Sequence, residues 1–206
     1  MTVSQFIKGA PMRPPSHFIG PLAWWSDSLT CGGVERQVVA SARFFQQQGK
    51  KVTLLCRTIS PGGGNDFFLQ EAQSCSRVLG FSLDVVDHDL FYEARAIVSE
   101  FVSGASQVFV DSISAYAAWL LRVRPRLLHL WNADHLEPLL AAFIAGVPKI
   151  IIAGQSLSPA QRAPHGFESV DDHAAFAILA NLMRFPHVVM TNNSRAGCRT
   201  YEDWLG

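Results

Sequence analysis

Hydrophobic residues recur between residues 34 and 45 with the spacing of an amphipathic helix. The positions on the apolar face are Val34, Val38, Ala42 and Phe45. Gly32 and Gly33 precede this run, and Gly49 stands where a glycine commonly ends a helix. Residues 52–56 then form a short apolar run without alternation, which is typical of a strand covered on both faces. The pattern predicts a glycine turn, a helix and a parallel strand.

A helix that opens on two glycines offers unpaired backbone N–H groups and the positive end of its dipole to an anion. Open α/β folds bind phosphorylated ligands with this arrangement. Gly32 and Gly33 are therefore candidate phosphate-binding residues. The alternative is a glycine pair that serves only the packing of the helix on its strand, because short glycine motifs recur by chance.

Apolar runs and helical patterns alternate along the rest of the chain. The predicted strands are 17–24, 52–56, 81–86, 107–110, 126–131, 147–153 and 187–190. The other predicted helices are 67–79, 93–103, 112–122, 133–145, about 170–182 and 194–204. This alternation predicts an α/β fold, a Rossmann-like doubly wound parallel sheet with helices on both faces. Residues 1–17 read as an irregular lead-in, and residues 18–206 as the folded domain.

Composition narrows the classes of protein. Hydrophobic residues make up 49% of the 206 residues, which excludes a disordered chain. Seventeen basic residues balance seventeen acidic ones, so no overall field favours nucleic acid or an anionic membrane. The longest apolar stretches are too short to cross a bilayer. We expect no nucleic-acid partner.

The four cysteines are scattered and form no C-x-x-C motif. This spacing favours reduced thiols over a disulfide framework or a zinc site. The first residues lack a charged start followed by an apolar core, so they predict no secretory signal. A cytoplasmic location follows as the expectation.

Polar segments follow several of the predicted strands. They are the glycine loop, residues 129–135, residues 154–159 and residues 191–194. In a parallel sheet the carboxyl ends of the strands lie at one edge, where ligands bind. We therefore expect these four segments to face a common cleft.

Several segments, taken in order, resemble the N-terminal half of a GT-B fold glycosyltransferase of the retaining, nucleotide-sugar-dependent class. The matching segments are residues 32–37, 48–52, 127–131, 145–151 and 191–194 running into 204–206. The resemblance implies that the domain binds an acceptor while its glycine loop approaches the donor diphosphate and sugar. The donor-binding half would follow residue 206, so the chain would be an incomplete and inactive part of the enzyme.

The resemblance also implies roles for individual residues. Gly32 and Gly33 would bind donor phosphate or sugar, and His129 would be the catalytic residue that contacts the sugar. Many members of the family carry a second histidine two residues further on, where this chain has Trp131. The implied acceptor-binding residues are Trp131, Asn132, Asp134, His135, Gln155, Ser156, Asn193 and Ser194. No metal and no cofactor are expected, since the nucleotide sugar is a substrate.

Each of these residues also has a structural interpretation. His129 lies inside an apolar run and can be a core histidine. Trp131 can serve packing, Gln155 and Ser156 can cap a turn, and Ser194 can be the N-cap of the last helix. The sequence leaves both interpretations open.

The sequence is compatible with three functions. The first is the acceptor-side half of a glycosyltransferase that builds a polysaccharide from a nucleotide sugar and a glycan or lipid-linked acceptor. Peripheral contact with the inner membrane would then depend on the acceptor. The second is a stand-alone Rossmann-like module that binds a small ligand, and the third is a non-catalytic partner of a separate donor-domain chain. A nicotinamide-dependent dehydrogenase is disfavoured, because the loop lacks a full G-x-G-x-x-G and Arg57 stands where an acid would hold a ribose.

Overall fold

The computed structural model describes residues 20–81, 87–102, 106–131, 135–155, 157–158, 161 and 179–206. The strands in these ranges are β1 (Leu22–Ser26), β2 (Val52–Cys56), β3 (Arg77–Gly80), β4 (Leu127–Leu130), β5 (Ile150–Gly154) and β6 (Val188–Asn192). The helices are α1 (Gly33–Gln47), α2 (Leu69–Cys75), α3 (His88–Phe101), α4 (Gln107–Val123), α5 (Leu136–Ile144) and α6 (Arg195–Leu205).

The described strands form one parallel sheet in the order β3-β2-β1-β4-β5-β6. Strand β1 lies at the centre, where Trp24 pairs with Leu54 of β2 and with His129 of β4. The chain builds outward from β1 to β3 on one side and from β4 to β6 on the other. The predicted Rossmann-like doubly wound fold is confirmed.

Helices cover both faces of this sheet. One core cluster joins Trp24 and Leu54 to α1 and α2, and the other joins Trp25 and Leu128 to α3, α4 and α5. Trp24 and Trp25 are neighbours in β1 but point to opposite faces, because side chains alternate along a strand. Both are almost fully buried. The continuous apolar character of β1 and β2 follows from this double coverage.

Helix α1 matches its prediction closely. Its buried residues are Val38, Val39 and Ala42, and it ends before Gly49, which has a φ of 72°. That left-handed conformation costs a glycine little, so the chain can reverse into β2.

Two predicted elements are wrong. Residues 107–110 were predicted to form a strand, but they are the first turn of α4, where the Phe109 amide donates to the Ser106 hydroxyl at 3.3 Å. This N-cap starts the helix before the apolar run. The predicted helix 67–79 ends at Cys75, and residues 77–80 form strand β3. Residues 82–86, with most of the predicted helix 170–182, lie outside the described residues.

In the part of the chain that the structure describes, none of the helices combines the length and the apolar character needed to cross a bilayer.

Candidate functional site

The order of the strands creates a crevice at the carboxyl edge of the sheet. The chain leaves β1 toward α1 on one face, and it leaves β4 toward α5 on the other. Because β1 and β4 are neighbours, the two connections diverge at this point. Ligands of open α/β sheets bind where the strand order reverses in this way. The crevice is therefore the candidate functional site.

The loop from β1 to α1 is held in place by the protein itself. Leu29 is fully buried, its amide donates to the Asn65 carbonyl at 3.2 Å, and its carbonyl accepts from the Phe68 amide at 3.0 Å. The Ser26 hydroxyl donates to the Ser28 carbonyl at 3.0 Å. These contacts fix the start of α1 before any ligand arrives.

Gly32 is the N-cap of α1 and has no side chain to cap the helix. Its own amide donates to the Thr30 carbonyl at 2.9 Å, so this N–H is already used within the loop. The amides of Gly33 and Val34 have no acceptor among the described atoms. A Cβ added at Gly33 would meet nothing within 4 Å. Gly33 thus borders open space at the positive end of the helix.

The side chain of Glu35 also lies at the N-terminus of α1, where an anionic ligand would bind. The Thr30 hydroxyl donates to Glu35 Oε1 at 3.2 Å, and a Cβ added at Gly32 would lie 2.1 Å from Glu35 Oε2. The carboxylate therefore reaches back over the N-terminus of α1, where it interacts favourably with the helix dipole. An anionic ligand would have to displace this carboxylate.

His129 lies in β4 on the face that α1 covers. Its ring stacks on Trp131 with centroids 4.4 Å apart and lies 6.1 Å from the Trp24 ring. Burial lowers the pKa of His129 to about 4, so the imidazole is neutral at pH 7. No described atom bonds to His129 Nε2 or to Trp131 Nε1. Two hydrogen-bonding groups thus stay unused at the end of β4.

His135 lies on the other side of the crevice. Its ring centroid is 4.8 Å from that of Trp25, and its Nε2 lies 3.7 Å from Asp27 Oδ1. Asp27 also accepts from Arg57 Nε at 2.5 Å. Asp27 is not among the site residues predicted from the sequence. The sequence does contain an indication of this pair, because Asp27 and Arg57 are the charged residues that directly follow β1 and β2.

Gln155, Asn193 and Ser194 lie together beyond the ends of β5 and β6. Asn193 Nδ2 donates to the Gln155 carbonyl at 3.2 Å, and the Gly197 amide donates to the Ser194 hydroxyl at 2.9 Å. Ser194 is thus the N-cap of α6, as its structural interpretation predicted. Asn132, Asp134 and Ser156 lie outside the described residues.

A separate cavity of about 430 Å³ lies beside α6. Its lining includes Met183, Met190, Cys198 and Leu205. Among the predicted site residues that the structure describes, none lines this cavity. Within the described ranges, no group of three or more His, Cys, Asp or Glu side chains is placed to hold a metal ion.

Comparison with known proteins gives one curated relative. The chain is 28% identical over 214 residues to the Vi polysaccharide biosynthesis protein VipC/TviE of Salmonella typhi. The match covers 95% of this chain but only 36% of that protein. No protein-family model matches the chain.

Three solved structures are similar in part. The apo form of AtPrR2 gives a TM-score of 0.38 at 13% identity, covering 85% of this chain and 71% of that one. Pinoresinol-lariciresinol and phenylcoumaran benzylic ether reductases give 0.34 at 10% identity, covering 78% and 65%. A short-chain dehydrogenase/reductase of Burkholderia multivorans with bound NADP gives 0.31 at 13% identity, covering 84% and 96%. The fold itself is assigned from the strand order.

These comparisons correct the predicted family. The relative is described as a polysaccharide biosynthesis protein, and the solved structures are described as reductases or a dehydrogenase where they carry a description of activity. The predicted resemblance to GT-B glycosyltransferases, and with it glycosyltransferase activity, is therefore wrong. The physical reason is that the matching segments are ones that many Rossmann-like domains share: a glycine turn, an amphipathic helix and buried strands.

The expectation that no cofactor takes part is corrected as well, because one of the similar solved structures is described with bound NADP. The residues at the α1 N-terminus fit a diphosphate group, because Gly33 borders open space and the Gly33 and Val34 amides have no acceptor among the described atoms. The predicted Rossmann-like fold agrees with the strand order, and the Salmonella relative is described as a polysaccharide biosynthesis protein.

Proposed function

We propose that this chain is the nucleotide-binding module of a protein that takes part in polysaccharide biosynthesis. The nucleotide binds in the crevice between β1 and β4, with its diphosphate at the N-terminus of α1. The observation that carries this proposal is the open space at Gly33, located at the point where the strand order reverses.

The amides of Gly33 and Val34, which have no acceptor in the described part of the chain, supply the contacts to phosphate. They act together with the dipole of α1, which favours negative charge at this end of the helix. The loop is fixed by Leu29, so little conformational entropy is lost on binding. Displacement of the Glu35 carboxylate is the cost of binding.

Two kinds of ligand share the diphosphate group. Nicotinamide dinucleotides are one, and a bound nicotinamide ring would supply hydride transfer. Nucleoside diphosphates are the other. The link to polysaccharide biosynthesis rests on the Salmonella relative, of which this chain matches 36%.

His129, Trp131 and His135 border the crevice and can contact the part of the ligand beyond the diphosphate. A neutral His129 can donate or accept one hydrogen bond, but it cannot neutralise a phosphate. Binding of a glycan or lipid-linked molecule near Gln155, Asn193 and Ser194 is a further part of this proposal.

Isothermal titration calorimetry with ADP, UDP, NAD⁺ and NADP⁺ tests the proposal. At least one of them should bind, and Gly33→Val should weaken that binding by about tenfold or more, because the branched side chain fills the space for phosphate. The matched control is Ala40→Val, which adds a valine to an exposed position of the same helix. Thermal unfolding of both variants should stay close to that of the original protein. Equal affinities of the two variants would contradict the proposal.

A further inference from the structure

Asp27, Arg57 and His135 form a cluster at the carboxyl edge of the sheet, next to the crevice. Arg57 Nε donates to Asp27 Oδ1 at 2.5 Å, and His135 Nε2 lies 3.7 Å from the same oxygen. The side chains of Arg57 and Asp27 are 50% and 35% exposed, and that of His135 is 22% exposed. A ligand in the crevice can therefore reach all three.

Backbone hydrogen bonds hold Asp27 and Arg57 next to each other. The Arg57 amide donates to the Ser26 carbonyl at 3.1 Å, and the Thr58 amide donates to the Asp27 carbonyl at 2.9 Å. The Thr58 hydroxyl donates to the same carbonyl at 3.2 Å. These bonds continue the pairing of β1 and β2 beyond the strands, so the positions of both side chains are set by the sheet.

The ion pair uses only part of the hydrogen-bonding capacity of its members. Arg57 donates through Nε, and neither of its terminal Nη groups has an acceptor among the described atoms. Asp27 accepts at Oδ1, and its Oδ2 has no donor among them. A guanidinium and a carboxylate can each make several more hydrogen bonds. The cluster thus presents donors and an acceptor side by side.

The charges around the cluster limit which ligands fit. Asp27 neutralises the charge of Arg57, and the hydrogen bond between them is the largest cause of the raised pKa of Arg57. Burial raises the pKa of the nearby Tyr116 to about 12, so this phenol is neutral. Glu137, at the start of α5, adds a negative charge on the same side. The surroundings do not favour an anion, because the Arg57 guanidinium is already paired with the Asp27 carboxylate.

An uncharged polyhydroxylated group satisfies these constraints. Each hydroxyl both donates and accepts, so one can donate to Asp27 Oδ2 while its neighbour accepts from an Arg57 Nη group. We infer that Asp27 and Arg57, with His135 beside them, form a subsite for the vicinal hydroxyls of a sugar ring. This inference rests on the proposed function, because the natural sugar is then the ribose of the bound nucleotide. In this subsite the carboxylate of Asp27 lies at the end of β1, and the guanidinium of Arg57 lies at the end of β2.

The test compares ADP with 2′-deoxy-ADP and 3′-deoxy-ADP by calorimetry. The protein should bind ADP about tenfold more tightly than at least one deoxy analogue, which is the size expected for one lost hydrogen bond to a charged group. In Asp27→Ala and Asp27→Asn this preference should disappear. Glu71→Ala is the matched control, since it breaks a comparably exposed ion pair with Arg43 on α1 and should keep the preference. A purely structural ion pair would leave the preference unchanged in all variants.

A second measurement removes the phosphates. Adenosine and 2′,3′-dideoxyadenosine are titrated while the Arg57 side-chain N–H signal is followed by NMR. The signal should shift with adenosine and not with the dideoxy compound. If ADP does not bind but adenosine shifts Arg57, the phosphate site is wrong and the sugar subsite stands. If ADP binds without any preference for hydroxyls and adenosine leaves Arg57 unmoved, the subsite is overturned and the phosphate site stands.

Discussion

Glu35 shows how a single side chain can control the candidate site. Its carboxylate occupies the N-terminal end of α1 that the proposed diphosphate needs. Both the carboxylate and a phosphate gain from the same helix dipole, so they exclude each other. The side chain therefore both stabilises the empty loop and weakens binding.

Replacing Glu35 with glutamine should tighten the binding of nucleotide by about three- to tenfold, since it removes a negative charge from the site. The amide oxygen can still accept from Thr30, so the loop should keep its conformation. Calorimetry with the nucleotide that binds the original protein measures the effect. Asp89→Asn, which removes an acid from the first turn of α3, serves as control. Weaker binding in Glu35→Gln would show that Glu35 supports the site.

The buried His129 predicts how stability depends on pH. Burial lowers its pKa from 6.5 to about 4, so between these values the unfolded chain binds a proton that the folded chain does not. Stability is therefore complete above pH 6.5 and falls as the pH drops toward 4. The loss is at most about 3 kcal/mol, at about 1.4 kcal/mol for each pKa unit.

Urea unfolding at several pH values measures this loss. His129→Phe should reduce the pH dependence, because the ring stays against Trp131 but no longer titrates. Part of the dependence should remain, since burial first and Lys149 second also lower the pKa of His187. An unchanged pH profile in His129→Phe would mean that His129 binds its proton over the same pH range in the folded and the unfolded protein.

Capping decides where several elements begin, and it explains which of them the sequence predicts. Helix α1 was predicted with accuracy, because its apolar spacing and its terminal glycines agree. Residues 107–110 were misassigned because their apolar run resembles a strand, whereas the hydroxyl of Ser106 begins a helix there. Periodicity alone does not separate a short buried strand from the first turn of a buried helix.

Helix α6 depends on its N-cap in the same way. Ser194→Ala should lower the free energy of unfolding by about 1 kcal/mol, because the Gly197 amide loses its acceptor. Ser194→Asp should keep most of the stability, since aspartate also caps helices well. Urea denaturation of both variants gives the comparison. Equal losses in both would show that the serine stabilises the helix by other contacts.

The sheet joins two hydrophobic clusters into one molecule. Leu54 faces α1 and α2, and Leu128 faces α4 and α5 across the central strands. Leu54→Ala and Leu128→Ala should each cost about 2–5 kcal/mol, the usual range for a buried leucine. Because the clusters share β1, fluorescence and circular dichroism should show one coincident transition in each variant. A transition in two steps would show that the faces unfold separately.

At this scale the sequence predicted the class of fold but not the composition of the site. Alternation of strands and helices is a property of long segments, so it survives local errors such as the position of β3. The partnership of Asp27 with Arg57 depends on β2 lying beside β1, which the spacing of residues along the chain does not show. The predicted family is wrong for a related reason. The segments that resemble GT-B glycosyltransferases are typical of Rossmann-like folds in general and do not distinguish one family from another.

The position of Cys31 has a practical consequence. It is the exposed cysteine of the four, and it directly precedes Gly32 in the loop of the proposed site. Burial raises the pKa values of Cys56 and Cys75, so these thiols react slowly with alkylating reagents. After Cys198, which is half-buried, is changed to serine, a maleimide dye should label Cys31 selectively. Its emission would then report the arrival of a ligand at α1 in real time, with no need for an assay of chemical turnover.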